Sequence, residues 1–257
     1  MIFIKKKETI MKYITLFENH AQYAAAESGL ILPNVSLCVN EDEVHYKPFD
    51  PYNGHDYVEI GNLKWATMNI GATATTDTGL YFQWGDTQGY TASQVGSGEG
   101  QKYFGWADYK YGNGTSNPGR EDMTKYNATD GKTVLDASDD AASVNWGGSW
   151  RMPTADDFRT LTGATNKQWT SNYNSTGVKG YVFKDKTTNE VLMFLPVTGE
   201  GMNGSVSDNT AGFYWSSSLM GNDNAIFSTH IWFSNEGYGG TVGVKRSNGF
   251  AIRPVIG

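Results

Sequence analysis

The sequence is poor in cysteine, proline, basic residues and long apolar runs, and each shortage excludes a class of protein. One cysteine, Cys38, rules out an internal disulfide framework and a cysteine-rich zinc site. Its apolar neighbours predict a small buried side chain rather than a nucleophile. Seven prolines and no repeat period argue against a fibrous shaft or a solenoid. No run approaches the roughly 20 apolar residues that a membrane span needs, so we expect no membrane insertion.

The shortage of basic residues leaves a net charge of −7. This argues against a nucleic acid partner, because clustered Lys and Arg side chains neutralise phosphates in such complexes. The one basic run, Lys5-Lys6-Lys7, follows an apolar start, whereas a signal peptide has its basic residues first. We therefore expect synthesis in the cytoplasm without secretory export, starting at Met1 or at Met11.

Aromatic residues and glycine are abundant instead, with 8 Trp, 15 Tyr, 12 Phe and 31 Gly. This composition favours a folded, turn-rich protein dominated by β-strands and long ordered loops. The chain is long enough for one sizeable domain and a small appendage.

The appendage is predicted at residues 1–50, as a small α/β unit. Residues 12–17 alternate as a strand, and 18–28 form an alanine-rich helix that ends at Gly29. V-S-L-C-V and E-V-H-Y then flank an acidic turn, which predicts a β-hairpin. Residues 47–55 contain two prolines and a glycine and are predicted to be a linker.

Residues 51–257 have the pattern of an α+β domain. Thr154, with Asp157 three positions later, predicts the start of one helix, and Ser138 is predicted to cap a shorter one. Paired strands are expected at the start of the domain, and a long loop is expected over 89–117. The other predicted strands are 79–85, 178–184, 191–197, 212–217, 225–233, 241–245 and 249–255.

Catalytic patterns are lacking, so neither enzymatic activity nor a cofactor is expected. The glycine-rich run 96–102 has Gln101 where a phosphate-binding loop needs its second glycine. The four histidines are scattered without ligand spacing. Two acidic pairs, Asp139-Asp140 and Asp156-Asp157, stand at predicted helix starts, where capping explains them. Asn222-Asp223-Asn224 has oxygen ligands for calcium, although a polar turn is the commoner explanation.

Four blocks carry a resemblance: L-K-W-A-T-M-N-I-G-A at 63–72, Y-F-Q-W-G-D at 81–86, N-W-G-G-S-W-R-M-P-T at 145–154, and G-F-Y-W-S-S-S with G-F-A-I-R-P-V at 212–218 and 249–255. In this order they resemble the Fibrobacter succinogenes major paralogous domain, over about residues 56–257. The resemblance implies a C-type-lectin-like fold close to that of the formylglycine-generating enzymes. The aromatic and arginine side chains of the blocks are interpreted as scaffold: Trp65, Trp84, Trp146, Trp150, Arg151, Trp215 and Arg253.

The resemblance also implies a ligand-binding face at about residues 218–248. Related proteins of gut phages are targets of diversity-generating retroelements, which rewrite adenine-containing codons and so favour Asn, Tyr, Ser and Asp. The expected ligand-binding residues are Ser218, Asn222, Asp223, Asn224, Ser228, His230, Trp232, Asn235, Tyr238, Lys245 and Asn248.

Strand alternation predicts which residues of this segment point inward and which point outward. Over 226–233 it places Phe227, Ile231 and Phe233 inward, provided that Thr229 tolerates burial. His230 and Trp232 then point outward as an aromatic platform, as in antibody paratopes. The alternative for Trp232 is that it covers the edge of the core and the asparagines only make turns.

We therefore expect a binding protein: a phage tail adhesin that recognises a bacterial surface protein or glycan. Calcium-dependent sugar binding is not expected, because the sugar motifs E-P-N, Q-P-D and W-N-D are missing.

Residues 1–50 are expected to attach the domain to other tail proteins, in a homo-oligomer that analogy makes a trimer. The expected location is the virion. The alternative is a secreted or pilus-tip adhesin on the bacterial surface, and an enzyme acting through the 89–117 loop is the third possibility.

Overall fold

A computed structural model describes three short N-terminal strands, by their backbone, and residues 50–207, 210–221 and 225–257. The strands are β1 (Phe3–Ile4), β2 (Val35–Val39) and β3 (Val44–Pro48). The chain divides into two compact units, Met1–Gly54 and His55–Gly257.

In the first unit β2 and β3 form an antiparallel hairpin, and β1 pairs with the other edge of β3. Cys38 lies opposite His45 in this hairpin. The hairpin predicted from the two alternating runs is confirmed. The predicted strand 12–17 and helix 18–28 lie outside the described residues.

The described part of the second unit contains eleven strands and two α-helices. The strands are β4 (Tyr57–Ile60), β5 (Leu63–Ala66), β6 (Thr165–Thr170), β7 (Gly180–Asp185), β8 (Val191–Pro196), β9 (Gly201–Met202), β10 (Ser205–Val206), β11 (Ala211–Leu219), β12 (Phe227–Ser234), β13 (Gly237–Lys245) and β14 (Val255–Ile256). The helices are α1 (Ala141–Trp146) and α2 (Ala155–Ala164). Neither is long and apolar enough to cross a bilayer.

These strands form antiparallel sheets, with the orders β14-β5-β4, β6-β7-β8, β9-β10 and β11-β12-β13. A mostly β architecture with few helices confirms the predicted α+β class at this coarse level. The predicted β7–β8 hairpin is confirmed. Residues 89–117 form the expected long loop, with short 3₁₀ turns at Ala92–Gln94 and Trp106–Asp108. The predicted strand 79–85 is reduced to two bridges, from Tyr81 to Tyr90 and from Phe82 to Phe250.

The chain end closes the second unit by pairing with its first hairpin. Val255 lies opposite Trp65 in β5, and it exchanges two backbone hydrogen bonds with Arg151. Arg253 is fully buried and donates to Asn69 Oδ1 at 2.8 Å and to Phe194 O at 3.1 Å. Three of the sequence blocks therefore meet in one place, as expected of scaffold.

Both helices begin at capping residues, but one start differs from the prediction. Thr154 Oγ1 accepts from Asp157 N at 3.1 Å, and the Asp157 carboxylate accepts from Thr154 N at 2.7 Å, so this predicted cap is confirmed. The shorter helix is capped by Asp140 rather than by Ser138. The Asp140 carboxylate also accepts from Met152 N at 2.8 Å, which ties the helix start to the next segment.

Asp139 does not cap a helix, contrary to the prediction for the acidic pair. Its carboxylate accepts hydrogen bonds from Lys110, Lys125 and the Tyr126 hydroxyl. Burial by itself would raise the pKa of Asp139, but these donors hold it well below its usual range. The pair nevertheless has a structural explanation, as the sequence indicated.

The main core lies between α2 and the sheets. It contains Trp65 from β5, Phe158 and Leu161 from α2, and Ile231 and Phe233 from β12. Strand β6 was not predicted, because its sequence T-N-K-Q-W-T is polar and it runs along a sheet edge with three consecutive exposed residues.

Candidate ligand-binding site

A concave site of about 220 Å³ lies where three segments meet: the aromatic loop 102–108, the β9–β10 hairpin and the turn after β13. We call it the loop-side pocket. The side chains on its wall include Tyr103, Trp106, Met202, Asn203, Lys245 and Asn248. Two of them, Lys245 and Asn248, are among the residues predicted to bind ligand.

Asp108 holds the aromatic loop in shape. Its carboxylate accepts from three consecutive backbone N–H groups, those of Tyr103 at 3.1 Å, Phe104 at 3.2 Å and Gly105 at 2.8 Å. The buried Lys102 ammonium lies 3.3 Å from the same carboxylate. Because hydrogen bonds to a charged acceptor are stronger than neutral ones, this arrangement fixes the loop backbone.

Phe104 fastens the loop to the core. Its ring is fully buried, and it packs so closely on Gly201 and Gly249 that a Cβ on either would lie 2.6 Å from a ring atom. Those two glycines exchange a pair of backbone hydrogen bonds at 2.8 Å. Phe104 has a φ of 54°, a left-handed conformation that costs a non-glycine residue about 1 kcal/mol or more. Burial of the ring offsets that cost.

Tyr103 is the exposed aromatic side chain of the pocket, with 40% of its surface accessible. Its ring rests on two glycines: a Cβ at Gly105 would lie 2.7 Å from the ring, and one at Gly204 would lie 3.1 Å from it. The flat ring is thus supported from below and open above. Such a rigid aromatic surface offers contact area at small entropic cost.

Asn248 is 4% exposed, and its Nδ2 donates to Glu200 Oε2 at 3.2 Å. This bond orients the amide. Burial raises the pKa of Glu200, and the bond from Asn248 opposes that rise. The neighbouring Ser247 carbonyl accepts from Gln83 Nε2 at 2.9 Å, which ties the floor of the pocket to the core.

A second concavity, of about 470 Å³, lies between α2 and the far end of the β11-β12-β13 sheet. We call it the helix-side cleft. Ser218 lines it, together with Val134, Arg159, Met220 and Thr241. The Ser218 hydroxyl accepts from Ala155 N at 3.0 Å. Ser218 therefore anchors the helix start as well as lining the cleft.

Strand alternation in β12 is as predicted on one face only. Ile231 and Phe233 are fully buried, whereas Phe227 at the strand start is only half-buried. Thr229 tolerates burial because its hydroxyl donates to Ser218 O at 3.0 Å. The opposite face was expected to be open. It is not, because Ser228 is fully buried and His230 is 4% exposed.

The outward orientation predicted for His230 is therefore wrong. Its ring packs near Phe213, Trp215 and Phe250, and its Nδ1 lies 3.0 Å from Val242 O. Burial lowers the pKa of His230 to about 4, so the imidazole is neutral at pH 7. Phe250 packs on this face because its segment runs beside β11, where Ala251 forms an isolated bridge with Tyr214.

The other predicted residues differ in exposure. Trp232 is half-buried against Gly239, which favours the alternative that it covers a core edge. Tyr238 is half-buried and contacts Tyr181 and Phe183. Asn235 is exposed in the β12–β13 turn. Asn222, Asp223 and Asn224 lie outside the described residues.

The block residues interpreted as scaffold occupy structural positions. Trp84 Nε1 donates to Ser216 O at 2.8 Å, and Trp215 Nε1 donates to Phe82 O at 2.7 Å. Trp146 and Trp150 pack edge to face, with ring centres 5.3 Å apart. Arg151 pairs with Asp157 at 2.6 Å.

Three important residues were missed by sequence reasoning. Arg246 is fully buried, whereas only its neighbours were singled out. Tyr103 and Asp108 lie in a segment interpreted only as a long loop. The signal available was the run Y-F-G-W-A-D, which places three aromatics and an acid between glycine-rich stretches.

Within the described part of the chain, no three His, Cys, Asp or Glu side chains lie close enough to hold a metal ion. Comparison with protein-family models, curated proteins and solved structures finds no match to this chain.

Proposed function

We propose that this protein is an adhesin, and that it binds a bacterial surface ligand through the loop-side pocket and the surface around it. The observation that carries the proposal is the construction of that pocket. An open aromatic ring, two amides and an ammonium are presented by a backbone fixed to the core. Preorganised aromatic and amide groups without an assembled set of reactive groups are typical of a recognition surface.

The four sequence blocks support assigning residues 51–257 to a C-type-lectin-like domain of the formylglycine-generating-enzyme type, acting by binding rather than catalysis. The antiparallel sheets, the α2 cap and the pairing of the chain end with the first hairpin are compatible with this assignment. In the same proposal, the protein belongs to a phage tail. Residues 1–50 join it to other tail proteins, and the chain assembles as a homo-oligomer.

The proposed diversified segment, about 218–248, ends at the loop-side pocket. Lys245 and Asn235 are exposed within it, whereas Ser228 and His230 are buried. We propose that diversification acts on the exposed positions, because replacing a buried residue destabilises the sheet. The flanking DNA tests this: a reverse transcriptase gene and an adenine-substituted copy of these codons are expected beside the gene.

Binding of the labelled full chain to a panel of gut Bacteroidetes strains tests the adhesin function. We expect binding to some strains, reduced at least tenfold by Tyr103→Ala and by Lys245→Ala. Val191→Ala is the control, because this exposed residue lies in β8 and outside the pocket. Unchanged binding by both pocket variants would show that the site lies elsewhere, and binding to no strain would contradict the adhesin proposal. Intact residues 1–20 in purified virions would favour the phage tail over a secreted adhesin.

A further inference from the structure

The wall of the loop-side pocket carries a positive charge and no negative charge among its described residues. Among the described residues on its wall, Lys245 is the one cationic side chain and none is an acid. Lys245 makes no ion pair with any described residue. In a chain of net charge −7, a pocket wall with an unpaired ammonium and no carboxylate favours an anionic ligand.

The uncharged part of the wall has the chemistry of a sugar site. Tyr103 offers an open ring face, on which the apolar face of a sugar ring can stack. Asn203 is exposed at the tip of the β9–β10 hairpin, and the buried Asn248 lines the same pocket. Because Asn248 Nδ2 is committed to Glu200, its Oδ1 remains an acceptor to which no described residue donates.

We propose that the loop-side pocket binds a carboxylate-bearing sugar ring, such as one uronic acid unit of an acidic surface polysaccharide. Lys245 pairs with the carboxylate, Tyr103 stacks on the ring, and the Asn203 and Asn248 amides bind hydroxyls. This assignment rests on the adhesin function proposed above and adds the chemical class of the ligand.

The size of the pocket supports a single ring. Its volume of about 220 Å³ is below the roughly 300–1,000 Å³ of sites for drug-sized ligands. An acidic peptide side chain is a poorer fit. It would pair with Lys245 but leave the two amides without hydroxyl partners, and a polar group left unpaired on binding lowers affinity.

The Glu200 carboxylate does not line the pocket, and its Oε2 accepts from the Asn248 amide. The Asp108 carboxylate is likewise occupied, by three backbone N–H groups and the Lys102 ammonium. Lys245 is thus the group on the wall that pairs with no acid among the described residues.

Titration of the full chain with matched sugars, followed by ligand-observed NMR and calorimetry, tests the inference. The probes are glucuronic acid, galacturonic acid and N-acetylneuraminic acid, each with its neutral methyl ester. We expect at least one acid to bind at least tenfold more tightly than its ester. Lys245→Met and Tyr103→Ala should each weaken that binding at least tenfold, whereas Lys179→Met, a change at an exposed lysine outside the pocket, should not.

Equal affinity for an acid and its ester would overturn the charge assignment. N-acetylglutamate serves as an acidic probe without a sugar ring. The sugar assignment would be overturned if N-acetylglutamate bound and no sugar did, or if no probe bound at all. The cell-binding assay separates these failures from failure of the adhesin function. If Tyr103→Ala still abolishes binding to bacteria, the pocket is the binding site and only the class of ligand is wrong.

Discussion

Arg246 donates from Nε to the Tyr109 hydroxyl at 2.7 Å, and both side chains are buried. The other guanidinium nitrogens donate to the carbonyls of Ala225, Tyr126 and Lys125 at 2.5 to 3.1 Å. The Trp84 ring lies 4.7 Å from the guanidinium carbon. This arginine therefore joins the end of β13 to the 123–126 segment through carbonyls and a hydroxyl rather than through an acid.

Replacing Arg246 by lysine should lower the free energy of unfolding by about 3 kcal/mol. Lysine keeps the charge but cannot reach four acceptors in the plane of a guanidinium, so buried carbonyls lose their partners. Urea unfolding measures the loss. Arg159→Lys is the control, because that arginine makes an exposed pair with Asp156, and the change should cost less than about 0.5 kcal/mol. Equal, small effects of both variants would contradict the role assigned to Arg246.

His230 should make stability depend on pH between about 4 and 6.5. Its pKa is about 4 in the folded protein, against 6.5 for an unperturbed histidine. The unfolded chain therefore binds a proton that the folded chain does not. As a result, the free energy of unfolding rises with pH across this window, and His230 adds no further rise above pH 6.5. At about 1.4 kcal/mol for each pKa unit, His230 should change the free energy of unfolding by about 3 kcal/mol between the two ends of this window.

Urea unfolding at pH 4.5, 5.5, 6.5 and 7.5 checks this dependence. His230→Phe and His230→Gln both remove the titrating group, so both should flatten the curve across the window whatever their effect at pH 7.5. A slope that persists in both variants would assign the pH dependence to other groups.

Gly249→Ala should destabilise the protein by about 1–3 kcal/mol and weaken ligand binding. The added methyl group would lie 2.6 Å from the Phe104 ring, so the ring or the turn must shift. Gly163→Ala is the matched control. That glycine is exposed in α2 with no atom within 4 Å of an added Cβ, and alanine there should raise stability by up to about 1 kcal/mol. Thermal melts and the cell-binding assay measure both effects. A Gly249→Ala protein as stable as the wild type would show that the ring is not confined.

Asp108→Asn should loosen the aromatic loop while the sheets stay intact. The neutral amide offers one acceptor oxygen in place of two, so the backbone N–H groups of Tyr103, Phe104 and Gly105 cannot all keep their partner. Hydrogen exchange should accelerate at least tenfold for these amides and remain unchanged in β11 and β12. Exchange that stays slow in the loop would show that Phe104 burial alone holds it.

Local sequence signals predicted the elements that need no distant partner. The Thr154 and Asp157 cap depends on residues three positions apart, and the β7–β8 and β2–β3 hairpins depend on alternation around a polar turn. The predicted cap at Ser138 was wrong: Asp140 caps the helix and also accepts from a distant partner, the backbone of Met152. The sequence patterns did not predict strand β6, because an exposed edge strand lacks the apolar face that makes strand alternation visible.

The predicted binding residues likewise divide into some whose exposure follows from local sequence and some that a distant segment buries. Asn235 is exposed as its turn composition indicates. His230 is buried because a segment close to the C-terminus places Phe250 beside it. A period-2 pattern can separate the two faces of a strand, but it cannot show whether a later segment covers the polar face.

By itself the sequence determined the coarse class of architecture, the burial of the block residues Trp65, Trp84, Trp215 and Arg253, and the lack of a familiar catalytic motif. These properties follow from composition, spacing and local hydrogen bonding. The tertiary structure alone formed the loop-side pocket, where we propose that a ligand binds. It brought Tyr103, Asn203 and Asn248 to one wall from segments that lie far apart in sequence. It did so because Phe104 buries its ring on two distant glycines, and such a contact leaves no local pattern in the chain.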